Sequence, residues 1–166
     1  TRRASLHAVL GKRVEIELRR HFLKRNAEPN RKGWPKKGFW GELAQATALE
    51  RHDDSGAVVR VAHPAARFKL RGGTITPKAA RSLAIPLTAD AYAAGRPALG
   101  GIAGLMFRPA RRGNLVGFLA TAGGEKKYAL VRRVTQRGDP RTLPDEGALS
   151  AAIRDEGTRW LARQTF

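Results

Sequence analysis

Few residues of this chain have the type and spacing that catalysis or ligand binding requires. The four histidines, His7, His21, His52 and His63, stand at no metal-binding spacing from one another, and no carboxylate pair accompanies any of them. They read as exposed or satisfied structural side chains. None of the serines, Ser5, Ser55, Ser82 and Ser150, sits in a Gly-x-Ser-x-Gly elbow. The absence of cysteine excludes a thiol nucleophile, a Cys-bearing zinc site and a disulfide framework. Arg71-Gly72-Gly73-Thr74 places glycines beside a cation, but it lacks the spaced glycines and the Lys-Ser/Thr pair of a phosphate loop. Asp53-Asp54-Ser55-Gly56 begins like a calcium loop, yet its ligand spacing stops after one turn, and a hairpin turn explains it better. With no nucleophile–base pair and no metal cluster in view, the chain is expected to be neither an enzyme nor a cofactor carrier.

The sequence concentrates positive charge instead. Its 166 residues hold 32 Lys and Arg against 14 acids, a net +18. Residues 1–40 carry twelve cations against three acids, and residues 108–141 nine against two, so two blocks hold almost all of the excess. Such a field draws a protein to nucleic acid, an anionic membrane or an acidic protein face. Neither block contains an aromatic RNA-binding motif, a KH loop or a zinc finger. Nucleic-acid binding, an acidic protein partner and a merely solvated surface all remain open.

The elements that must carry these charges are legible in part. Leu6, Leu10, Val14, Leu18 and Phe22 recur at every fourth position, which predicts a helix over residues 5–25. Pro29, Gly33 and Pro35 break the chain into a loop over 26–37, and a second helix is expected over 39–49 with Phe39, Trp40 and Leu43 inward. The 53–56 turn followed by Val58, Val59 and Val61 signals a hairpin. Further strands are expected around 105–108, 115–122 and 128–134, turning at 111–114 and at Gly123-Gly124. Leu149, Ala152, Ile153, Trp160 and Leu161 keep helical spacing behind Pro144, Asp145 and Glu146, which predicts a C-terminal amphipathic helix. The expected fold class is α+β: a small antiparallel β-sheet packed by N- and C-terminal helices, in one domain over 1–166.

Between the hairpin and the late strands lies a stretch, 63–104, rich in proline and glycine. It carries Arg67, Lys69, Arg71, Lys78, Arg81 and Arg96 against Asp90 alone, yet also Phe68, Leu70, Ile75, Leu83, Ile85 and Leu87. It reads as a long extended arm whose 83–87 strand pairs along the sheet edge of a neighbouring subunit. Arg67, Phe68, Leu70, Arg71, Ile75, Lys78, Leu83 and Ile85 are therefore candidate interface residues. Arg111, Arg112, Lys126 and Lys127, placed on exposed turns, are the candidate charged contacts.

Within this stretch, Arg71-Gly72-Gly73-Thr74-Ile75-Thr76-Pro77-Lys78 through Leu83-Ala84-Ile85-Pro86 resembles a segment of tailed-phage virion morphogenesis and tail-completion proteins. In that family a Gly-Gly turn leads into a Pro-Lys pair and a short Leu-Ala-Ile-Pro strand. The surrounding order is also similar: a basic amphipathic helix, Gly33-Trp34-Pro35, the strand of Tyr128 and Leu130, an Arg/Pro-rich turn over 137–144, and a last helix ending near Trp160-Leu161. Arg137-Gly138-Asp139-Pro140-Arg141 departs from the family by being more polar than its usual Pro-rich form.

The resemblance implies a small sheet with packed helices, no catalysis, no cofactor and a place in the virion. The role implied is a homo-oligomeric ring at the head–tail neck or tail end, beside connector or tail-tube proteins. A ring subunit needs one surface patch to bind a different patch on its neighbour. The basic blocks would then meet acidic faces of adjoining rings or the packaged DNA. No apolar run reaches the roughly 18 residues of a membrane span. Thr1-Arg2-Arg3-Ala4 opens no signal peptide, so no membrane role and assembly in the host cytoplasm are expected. The alternative is a basic nucleic-acid-binding protein of ribosomal type.

Overall fold

The computed structural model describes residues 1–30, 32–97 and 101–164; the side chain of Arg111 lies outside the described residues. The chain, read above as one domain, packs as two compact units. The first comprises residues 1–29, 37–71 and 138–166, and the second, 30–36 and 72–137, is inserted into it. The α+β class and the antiparallel sheets are as expected.

In the first unit, helix α1 (Arg2–Ala27) is capped by the Thr1 hydroxyl and buries Leu18 and Phe22 of its apolar stripe. These two side chains form a core with Leu43 and Ala44, against which Val14, Phe39, Trp40, Val59, Val61 and Ala66 pack. Helix α2 (Phe39–Gln45) is shorter than expected, because Thr47 already opens strand β1 (Thr47–Asp53). The buried Thr47 donates its hydroxyl to the Leu43 carbonyl and accepts two hydrogen bonds from Arg19 at its own carbonyl, which fixes the chain's exit from the helix. β1 pairs antiparallel with β2 (Gly56–Val61) through the 53–56 turn, whose Asp53 carboxylate accepts from the Ser55 and Gly56 amides. Glu15, buried on α1, accepts from the Leu49 amide and bridges to Lys12 and Arg19. Burial pushes its carboxyl up, but these hydrogen bonds and charges outweigh it and hold the group below its ordinary value.

Residues 66–71, expected to be extended, form helix α3 (Ala66–Arg71). Its end is tied to the 138–142 segment, where the Asp139 amide donates to the Lys69 carbonyl and the Asp139 carboxylate faces Arg25, Lys69 and Arg141. Desolvation raises that carboxyl, while the Arg141 amide and the three cations bring it down below the usual range. The unit closes with the C-terminal helix, α5 (Glu146–Ala162), N-capped by Asp145, buried at Trp160 and packed on α1.

In the second unit, strands β4 (Leu83–Pro86), β5 (Met106–Arg112), β6 (Leu115–Ala120) and β7 (Lys126–Val131) form an antiparallel sheet in the order β4-β7-β6-β5. Strand β3 (Gly72–Ile75) pairs with β8 (Val134–Arg137) in a separate two-stranded sheet. The strand expected over 128–134 is thus two strands, parted by a bend at Arg132–Arg133. Helix α4 (Ala89–Ala94) covers the sheet end, where the buried Tyr128 hydroxyl donates to the Ala91 carbonyl at 3.0 Å. Trp34 packs beside Tyr92, with ring centroids 5.3 Å apart.

Candidate interaction surface

The two units divide the charge unequally. The second unit holds fourteen Lys and Arg against two acids, the first eighteen against twelve. On α1 the cations are answered locally: Arg13 and Arg20 pair with Glu17, and Lys12 and Arg19 with Glu15. Part of the first basic block read from the sequence is therefore paired where it folds.

In the second unit the only two acids, Asp90 and Glu125, both bind one lysine. Lys127 reaches Asp90 at 2.8 Å and Glu125 at 2.8 Å, and it is buried. The Lys127 ammonium draws the Asp90 carboxyl down to about 2, and the two carboxylates raise the lysine in turn. Lys127 was expected on an exposed turn. It lies instead in β7, at a register shift opposite Leu119 and Ala120, with Lys126 over the Phe118 ring at 4.6 Å and Lys127 in the acid pair.

Register places the remaining cations. Leu83, Val131, Leu115 and Arg112 form one row across the four strands. Just beyond that row, at the same end of the sheet, the chain presents Arg81, Arg132 and Arg133, all exposed like Arg112. None of these four arginines makes an ion pair among the described residues. Asn114 fixes the end: its carbonyl accepts from the Arg132 amide at 3.0 Å, and its side chain exchanges two hydrogen bonds with the Arg133 backbone at 2.7 and 3.0 Å. The tight turn before it needs the left-handed conformation of Gly113, φ 57°. Asp90 and Glu125 lie at the opposite end of the strands, about 17 Å away along a six-residue strand.

The candidate interface residues fall on both units. Phe68 and Leu70 are half-buried in α3, while Arg67 and Arg71 are exposed there. Ile75 is exposed in β3 opposite Val134, and Lys78 is exposed in the bend that follows. Leu83 and Ile85 are half-buried and pair with Val131 and Ala129 of β7. The expected free arm is corrected accordingly: its strand already fills one edge of its own chain's sheet. Arg112 ends β5; Arg111 stands beside it, with its side chain outside the described residues.

Arg81, Arg132, Arg133 and Asn114 were not singled out from the sequence. The signal was an Arg-Arg pair just after an apolar strand, with a Gly-Asn turn one strand earlier.

Large apolar side chains are exposed on both units. On β5, Met106 and Phe107 are 40% and 53% exposed. Strand β5 is hydrogen-bonded only to β6 among the described residues, and the Phe107 ring lies across Gly117, where a Cβ would fall 2.5 Å from it. On α1, Ile16 and Leu23, seven residues apart on one helix face, are 42% and 56% exposed.

The histidines lie apart. His7 faces the Asp53 carbonyl, His21 the Arg141 carbonyl and His63 the Glu42 carboxylate. Among the described residues there is no metal-binding group of carboxylates and histidines, and no helix long and apolar enough to cross a membrane. Comparison with protein-family models, curated proteins and solved structures found no match to this chain.

Proposed function

We propose that this chain is a non-enzymatic structural subunit of a tailed-phage virion, assembling head to tail into a ring at the neck or tail end. The observation that carries the reading is the pair of unlike apolar patches, Met106–Phe107 on an open strand edge and Ile16–Leu23 on a helix face. A closed ring requires two different surfaces per subunit, whereas a two-fold dimer requires only one. The far half of β5 is guarded as a solvent-facing edge usually is, by Pro109, a register shift and arginine. The near end, Met106–Phe107, has no such guard. The resemblance of residues 71–86 to tail-completion proteins gives the ring its place in a particle. Negative-stain electron microscopy of the purified chain tests this: annular particles are expected, and a field of monomers at every concentration would overturn it.

A further inference from the structure

We infer that the arginine-lined end of the four-stranded sheet, Arg81, Arg112, Arg132 and Arg133, is a binding site for the phosphate backbone of nucleic acid. On α1 and around Asp139, cations find a carboxylate. These four do not, and both acids of their unit are held at the far end by Lys127. This end of the unit is therefore basic, with no carboxylate paired to these four arginines among the described residues.

The end is also built. The three Asn114 hydrogen bonds lock the Gly113–Asn114 turn to Arg132–Arg133, and the Arg132 guanidinium donates back to the Gly113 carbonyl at 3.4 Å. A fixed turn holds the backbone that carries Arg112, Arg132 and Arg133 before a ligand arrives, which lowers the entropic cost of binding.

Chemistry decides between phosphate and an acidic protein face. All four side chains are arginine, whose planar fork matches phosphate oxygens two at a time. A protein partner needs an apolar centre to its interface. The residues between these arginines are Ser82, Gly113 and Asn114, and the apolar row behind them, Leu83, Leu115 and Val131, is already half-buried. A surface that is polar, basic and without an apolar anchor fits nucleic acid. No base-reading device accompanies it, so binding is independent of sequence and steeply dependent on salt.

This inference goes beyond the ring reading, and the two fail separately. The full chain is titrated against a fluorescein-labelled DNA duplex of random sequence, by fluorescence anisotropy over a range of salt. Arg112→Ala/Arg132→Ala/Arg133→Ala should weaken binding on the order of tenfold or more and flatten the salt dependence by about two to three in log–log slope. A matched variant of the first unit, Arg2→Ala/Arg3→Ala/Arg154→Ala, should change both far less. Because Arg132 also bonds the turn, Arg112→Glu/Arg133→Glu serves as a second variant, and circular dichroism melts confirm that each is folded. Equal losses in the two triple variants would overturn the site, as would absence of binding by the wild type or competition by polyglutamate as strong as by unlabelled DNA. A protein that stays monomeric yet binds through this end would sink the ring and leave the site standing.

Discussion

At the residue scale, neighbouring lysines take opposite roles. Lys126 and Lys127 are indistinguishable in sequence, but in β7, at a register shift against β6, one is a surface cation over Phe118 and the other a buried counter-ion of Asp90 and Glu125. A register shift leaves no mark in the local sequence, which placed both lysines on a turn. The pH consequence has a definite sign. Asp90 is depressed to about 2 in the folded chain, below the ordinary aspartate value of about 3.9, so its contribution to stability is complete above that ordinary value. It is lost as pH falls through the folded value, in a window from about 4 down to about 2. Thermal melts of wild type and Asp90→Asn should therefore differ near neutrality and converge toward about pH 2. A difference that persists undiminished at the acid end would mean that the Asp90–Lys127 pair is not its source.

At the element scale, the helices were the most readable part. Their apolar spacing named Leu18, Phe22 and Trp160 in advance, and these are the buried hydrophobic residues of α1 and α5. Trp160→Ala should cost about 3–5 kcal/mol, measured by denaturant unfolding, because the indole is almost wholly withdrawn from water. A loss near zero would show that α5 does not depend on it.

Short strands were less readable, for a physical reason. A four-residue strand has too few positions to show a period, so β3 and β8 gave no signal of their own, and Leu83–Pro86 could be assigned to a neighbour's sheet as readily as to its own. What decides is register, and register depends on partners far away in sequence. The candidate site suffered most from this: Arg81, Arg112 and Arg132–Arg133 meet only because four strands end in one row. Gly117 records the same dependence. Its Cβ would strike the Arg108 carbonyl and the Phe107 ring, each at 2.5 Å, so Gly117→Val should part β5 from β6 and destabilise the chain by about 1–3 kcal/mol through overpacking. Unchanged stability in the same unfolding measurement would show that β5 packs on β6 with room to spare.

At the scale of the whole molecule, charge and apolar exposure are sorted. The first unit neutralises most of its own cations, while the second keeps a net positive charge with its acids gathered at one end. The unlike apolar patches lie one on each unit, which is the requirement of head-to-tail assembly. That requirement gives the most direct test of the ring reading. Phe107→Asp removes one patch and Leu23→Asp the other, and sedimentation velocity follows each variant alone and the two mixed. In a head-to-tail ring, wild type assembles and each variant alone remains a monomer. An equimolar mixture forms a dimer and nothing larger, because one intact patch of each kind survives. Either variant assembling like wild type, or a mixture that stays monomeric while wild type assembles, would contradict assembly through these two surfaces.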